Sequence, residues 1–384
     1  MPELTGYVRP NGRVGLRNHV AILPVDDLSN AAAEGVARLI QGCLPLSHPY
    51  GRLQYGEDLD LTFRTLSGHG HNPNVYGTVV IGIEPNWTDR IAGAIAAAGT
   101  PVEAFSIERS GDLTTVQRAS RAAYRFVQEA SSQSREAVSA RDLVLSIKCG
   151  ESDPTLGLAG NPALGRAVDA LIDQGASVIF GETSELTGAE QLIAERCSSP
   201  DLRASFERIY RDYVDFIEQQ GANLLGSQPT EGNIRGGLST IEEKALGNIE
   251  KTGHHPVSGV RAPAEAVSPG SGLVFMDTSS AAAEMVTLCA AAGSVLHLFT
   301  TGQGNIVGHP LIPVIKISPN PLTCQTMSEH IDIDLSALLL GEISLESAKD
   351  QILETFLRTA RGRMTAAELL GHREFVLTKL YRSA

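Results

Sequence analysis

A chain of 384 residues, 42% hydrophobic and 20% charged, is too long for one ordinary core and reads as a folded protein of two domains. Its formal net charge of −13 excludes the broad basic face that a nucleic-acid partner needs, though not a small anion held by a few arginines. No apolar run approaches the roughly 20 residues that span a bilayer, and Met1-Pro2-Glu3-Leu4 does not open a secretion signal, so a cytoplasmic chain without a membrane partner is expected.

The first third reads as a small α/β unit. The run Val20-Ala21-Ile22-Leu23-Pro24-Val25 has the length and apolar character of a buried strand, and 79–83 and 102–107 repeat the pattern. Helices are expected over 30–40, 88–98 and 113–136, the second stopped by Gly99 with Pro101 just after it. The polar stretch 130–140, with four serines, marks a domain boundary. Beyond it, buried strands are expected at 143–147, 177–180, 273–276, 295–299 and 314–317. Helical stretches lie at 163–173, 188–197, 202–220, 238–249 and 281–292, and two more at 345–361 and 365–370 pack outside. Strands alternating with helices predict a parallel sheet covered on both faces. The expected fold is therefore α/β: a small N-terminal α/β domain over 1–135, then a Rossmann-like, mostly parallel sheet flanked by helices over 140–384.

Each strand of the second domain runs into a polar loop, and open α/β sheets bind ligands at the carboxyl ends of their strands. The loops begin Lys148-Cys149-Gly150-Glu151-Ser152-Asp153, Gly181-Glu182-Thr183-Ser184-Glu185, Asp277-Thr278-Ser279-Ser280, Thr300-Thr301-Gly302-Gln303-Gly304-Asn305 and Ser318-Pro319-Asn320. Together they suggest one composite site. A thiol at Cys149 near the carboxylates of Glu182 and Glu185 suits a divalent transition metal, against the plainer reading of a half-buried thiol and two solvated acids. The other cysteines, Cys43, Cys197, Cys289 and Cys324, form no Cys-x-x-Cys pair and read as small buried hydrophobes, except that Cys324 is left without a role. Gly302-x-Gly304 is either a tight turn or a set of amides aimed at an anion; Val307 stands where a nucleotide fingerprint needs its third glycine, which argues against a nicotinamide enzyme. Ser279 or Ser280 is a natural N-cap for the next helix and also a possible anion seat. Arg9, Arg13 and Arg17, set among three glycines, form either a carboxylate clamp or a solvated arm. His69-Gly70-His71 reads as a polar loop.

Several segments resemble those of the altronate/galactarate dehydratase family. They are Gly12-Arg13-Val14-Gly15-Leu16-Arg17-Asn18, Lys148-Cys149-Gly150-x-Ser152-Asp153, Asn161-Pro162-Ala163-Leu164-Gly165 and Glu182-Thr183-Ser184-Glu185. Gln228-Pro229-Thr230-x-Gly232-Asn233, Gly236-Gly237-Leu238, Glu243-Lys244-Ala245-Leu246-Gly247, Thr300-Thr301-Gly302-x-Gly304 and Pro313-Val314-Ile315-Lys316 continue the series in the same order, over essentially the whole chain. The resemblance implies a lyase that performs β-elimination from a 2-hydroxy acid with Fe²⁺ or Mn²⁺. It also implies a homodimer formed through the first domain. Many members carry an extra small β-rich domain that this sequence does not show, which implies a separate small β-rich subunit.

Members that act on sugar acids tend to carry Cys-Gly-Gly-Ser-Asp, Thr-Gly-Arg-Gly and Pro-Gly after the Asp-Thr pair. Here Glu151, Gln303 and Ser279-Ser280 stand instead. With the ending Gly371-His372-Arg373-Glu374-Phe375, this set resembles the branch that splits 3-sulfolactate into pyruvate and sulfite. On that reading Cys149, Glu182 and Glu185 hold the metal, and Lys148 or a histidine is the base. Arg13, Arg17 and Asn18 grip the substrate carboxylate, and Ser279, Gln303 and Asn305 face the leaving group. Dehydration of altronate or galactarate, and a non-catalytic anion-binding module, are the competing expectations.

Overall fold

A computed structural model describes residues 4–222 and 229–381; Gln228 of the motif noted above lies outside this range. Strands β1 (Leu4–Val8) and β2 (Val14–Gly15) pair antiparallel at the start of the chain. Strands β3 (His19–Pro24), β4 (Cys43–Pro45), β5 (Val75–Gly82) and β6 (Val102–Ser106) form a parallel sheet in the order β4-β3-β5-β6. The polar stretch 130–140 contains β7 (Glu136–Val138), which pairs antiparallel with β1, so a hydrogen-bonded strand joins the two halves of the chain.

The second half is built on β8 (Val144–Gly150), β9 (Ser177–Phe180), β10 (Val257–Arg261), β11 (Leu273–Met276), β12 (Leu296–Thr301), β13 (Val314–Ser318) and β14 (Ile333–Asp334). They form a seven-stranded sheet in the order β10-β11-β9-β8-β12-β13-β14, and every pairing is parallel. Parallel strands buried on both faces read as unbroken apolar runs, and all of β9, β11, β12 and β13 is buried. From β8 the chain first moves through β9 and β11 to one side, then returns to β12 on the other. The switch point therefore lies between β8 and β12, where the crevice at the strand ends takes ligands in such sheets.

One core packs helices Asn161–Asp173 and Leu345–Ala360 on one face of the large sheet, through Leu145, Ile147, Leu164, Val168, Ile352 and Phe356. A second core is shared by the two sheets: Leu23, Val80 and Leu66 meet Val286, Phe299 and Val314. The helix Gly56–Gly70 crosses this seam, where the sequence reading saw only a polar loop around His69-x-His71. Leu61, Phe63 and Leu66 are buried on it, but its glycines and polar residues hid the pattern. Gly68 is needed there, because a Cβ would stand 2.4 Å from the Ala291 carbonyl oxygen of the facing helix Ala282–Ala291. At the helix end His309 Nδ1 accepts from the Leu311 and Ile312 amides at 3.2 and 3.4 Å. Its Nε2–H must then donate to His69 Nε2, 3.2 Å away, and His69 Nδ1–H to the Thr65 carbonyl at 2.7 Å. Both rings are thus neutral and part of the seam.

Candidate active site

The last residues of β8 and the turn after β9 bring three donors together. Ligand atoms of Cys149, Glu182 and Glu185, all buried, lie within 4.8 Å of one another. Cys149 is the penultimate residue of β8, and its thiol reaches Asn248 on the helix Ile241–Ile249. Glu182 sits in the left-handed region, with φ 67°, and its amide donates to Thr278 Oγ1 at 2.8 Å. A non-glycine residue in that conformation carries strain that the surroundings must hold. The turn Thr183–Leu186 then brings Glu185 back beside Glu182.

Three lysines answer the acids. Lys148 Nζ contacts Glu182 Oε1 and donates to its neighbour's carbonyl, that of Cys149, at 3.0 Å. Lys251 Nζ lies 2.8 Å from Glu182 Oε2 and 3.5 Å from Cys149 Sγ. The first of these is an ion pair by distance, since Glu182 Oε2 has no well-aligned hydrogen bond. Lys244 Nζ lies 3.0 Å from Glu185 Oε1. Burial alone would lower Lys148 and raise Glu182, but their mutual attraction wins: Lys148 is held above its usual value, and the two ammoniums hold Glu182 at about 2. Burial pushes the Cys149 thiol up, against the pull of Lys251. The thiol donates to Asn248 Oδ1 at 3.3 Å.

Glu185 Oε2 is buried without a hydrogen-bond partner, at the cluster's third corner. An orphaned carboxylate oxygen beside a thiol and a second carboxylate is a donor set that fits a divalent transition ion. Glu182 Oε2 likewise has no hydrogen bond, so each carboxylate, although ion-paired, keeps an oxygen that could face an ion beside the thiol.

A cleft of about 360 Å³ reaches this cluster at Cys149, with Glu182 and Glu185 buried behind its wall. Cys149, Ser152, Asp153 and Asn161 line one wall, and Leu238, Lys244, Gly247 and Asn248 the other. Helix Ile241–Ile249 comes this close because Gly247 faces Gly157, where a Cβ on either would stand about 3.1–3.2 Å from the other's Cα. Asn161 ties the walls, accepting from Thr300 Oγ1 at 2.6 Å and donating to the Gly247 carbonyl at 2.7 Å.

Of the remaining expected site residues, Arg13, Arg17, Asn18, Ser279, Gln303 and Asn305 lie outside the cluster. Arg17 uses all five of its N–H groups within the chain: two on Glu368, at 2.8 and 2.9 Å, and three on the carbonyls of Leu16, Thr359 and Arg363. Asn18 bridges Arg9 and the Ala130 carbonyl, and Arg13 Nη2 reaches the Gly293 carbonyl at 3.4 Å. None of the three lines the cleft. These contacts pin the segment to the C-terminal helices and the seam. Lys148 is 1% exposed, ion-paired with Glu182 and held above its usual value. Ser279 opens onto a second cavity with Tyr213, Asp277 and Tyr381, donates to Glu284 Oε2 at 2.8 Å, and does not cap the next helix, whose N-cap is Ala281. Gln303 Nε2 donates to the Gly232 carbonyl at 3.0 Å and holds the Glu231–Arg235 helix against the cleft's rim. Asn305 is folded onto its own loop, accepting from the Val307 amide at 2.9 Å. The sequence reading missed Lys244, Asn248 and Lys251, although Lys244 stood in a recognised motif.

Residues 140–383 match the family described as "D-galactarate/Altronate dehydratase, C-terminal", and residues 6–131 that described as "D-galactarate dehydratase/Altronate hydrolase, second domain". The "(2R)-sulfolactate sulfo-lyase subunit beta" of Chromohalobacter salexigens is 59% identical over 381 residues, 99% of this chain and 98% of that protein. The "Altronate dehydratase" of Bacillus subtilis is 28% identical over 97% of this chain and 77% of that protein. The "Galactarate dehydratase (L-threo-forming)" of Escherichia coli is 29% identical over 78% of this chain and 59% of that protein.

Proposed function

Because the chain belongs to the D-galactarate/altronate dehydratase family of lyases, we propose that it is the large subunit of an assembly that eliminates sulfite from 3-sulfolactate to give pyruvate. What carries the choice of substrate is 59% identity along nearly the full length of a sulfo-lyase subunit, against 28% for an altronate dehydratase. That relative is named a subunit, so a separate partner chain belongs to the proposal, as does the small β-rich character expected for it.

The chemistry follows from the substrate. The C2 proton leaves, its electron pair forms the C2=C3 bond, and the C3–S pair departs with sulfite. The resulting enol tautomerises to a 2-oxo acid. Negative charge therefore grows on the carboxylate side of the substrate. A divalent ion such as Fe²⁺ or Mn²⁺, bound by Cys149, Glu182 and Glu185, would supply Lewis-acid stabilisation of that charge. The chain's own part is positioning. Lys148 and Lys251 keep Glu182 ionised, Asn248 orients the Cys149 thiol, and Asn161 fixes the cleft's width.

The test is to incubate the chain and its companion subunit anaerobically with Fe²⁺ and, separately, 3-sulfolactate, altronate and galactarate. Equal release of sulfite and pyruvate from the first supports the proposal. A 2-oxo acid from a sugar acid, without turnover of 3-sulfolactate, replaces it with the dehydratase reading.

A further inference from the structure

The proposed substrate carries two anionic ends, and the arginines expected to meet them do not line the cleft. Among the described residues that line the cleft, Lys244 is the one cation. Lys148 and Lys251 are each 1% exposed and absent from the lining. The cleft also holds the acids Asp153, Glu243 and Glu250, which repel an incoming anion. Asp153 is turned aside by Asn320 Nδ2 at 2.8 Å, and Glu243 by the Ser239 amide at 2.8 Å. An anion entering here has a single ammonium to seek.

We propose that Lys244 is the substrate-binding cation of this site, receiving an anionic end of the substrate at the cleft wall, with Glu185 as the residue that positions it. This rests on the reading of the cleft as the reaction site and adds to it the residue that the arginine segment was expected to supply. The geometry is suited to the task. Lys244 is rooted in the helix Ile241–Ile249, its side chain is 5% exposed, and its Nζ is steadied 3.0 Å from Glu185 Oε1. A charge anchored on a helix and largely withdrawn from water holds an anion more strongly than the same charge on a mobile surface chain. Since Glu185 is also a candidate metal ligand, one carboxylate would set the spacing between the substrate's anchored end and its reacting end.

The experiment uses the chain assembled with its companion subunit. Two readings are taken: steady-state kinetics with 3-sulfolactate, and calorimetric binding of 3-sulfopropanoate, which lacks the 2-hydroxyl. Lys244→Met is expected to raise KM and the 3-sulfopropanoate Kd about 10- to 100-fold with kcat changed much less. Lys244→Arg is expected to recover most of the binding. Because Lys244→Met strips a buried carboxylate of its partner, the double variant Lys244→Met/Glu185→Gln tests binding without that unpaired charge and should bind the probe as poorly. A 3-sulfopropanoate Kd within twofold of wild type in both variants overturns the proposal. If wild type binds the probe through Lys244 but releases no sulfite from 3-sulfolactate, the anion site stands and the sulfite-releasing reading falls.

Discussion

The ammonium of Lys251 lies 2.8 Å from Oε2 of Glu182, 69 positions earlier in the chain, and neither side chain is more than 1% exposed. The pair joins the turn after β9 to the end of the helix Ile241–Ile249, and so closes the cleft's floor around Cys149. Taking one partner from a buried ion pair costs more than the pair's net worth, because the charge left behind stays desolvated. Lys251→Met should lower unfolding free energy by about 3 kcal/mol, the lower end of the range since Lys148 still answers Glu182. Chemical denaturation of the two proteins at neutral pH measures it, and a loss below about 1 kcal/mol would mean that the pair is unimportant to the fold.

Arg17 distinguishes a structural residue from a substrate clamp. Its fork is bidentate on Glu368, and its other donors hold three carbonyls. Lysine keeps the charge but cannot reproduce that fork. Arg17→Lys should therefore lower stability by about 2–3 kcal/mol while leaving KM for 3-sulfolactate within twofold. A large rise in KM at unchanged stability would support the clamp.

Buried neutral histidines set an acid limit. Burial lowers His69 and His19 from 6.5 to about 4 and His297 to about 3, with Arg17 also acting on His19 and Lys316 on His297. A folded-state value below the unfolded one means that the unfolded chain binds more protons, so stability falls with pH. The loss should begin near 6.5, steepen to as much as about 4 kcal/mol per pH unit from the three rings near pH 5, and flatten below 4 as His69 and His19 protonate. Denaturation midpoints between pH 7 and 4 report it, and His69→Gln should make the slope shallower. Glu182 acts in a separate, lower window, from its usual 4.5 down to about 2.

The sheets meet closely enough that one methyl group matters. A Cβ at Gly68 would press on backbone, not on a yielding side chain. Gly68→Ala should cost about 1–3 kcal/mol despite the better helix propensity of alanine. A thermal shift in the stabilising direction would show that the seam has room.

Much of this architecture was legible because buried parallel strands announce themselves as apolar runs. The runs at 143–147, 177–180, 273–276, 295–299 and 314–317 coincide with β8, β9, β11, β12 and β13 to within a few residues. The edge strands β10 and β14 were not read, since Val257-Ser258-Gly259-Val260-Arg261 is half exposed and broken by glycine, and β14 has only two residues. The grouping of Cys149, Glu182 and Glu185 followed from their places at the ends of neighbouring strands. The lysines did not, yet their signal was present: Lys244, Asn248 and Lys251 follow the i, i+4, i+7 spacing of a helix's buried stripe, where a polar residue needs a buried partner. In the arginine segment, density of charge says nothing about partners 280 to 351 positions away.

The most direct test of the site is an anaerobic Co²⁺ titration followed by absorption. If Cys149 and Glu185 hold the ion, wild type should bind one equivalent per chain with a thiolate-to-cobalt charge-transfer band, Cys149→Ser should lose the band, and Glu185→Gln should weaken binding. A band that survives Cys149→Ser, or its absence from active wild-type protein, would contradict the account.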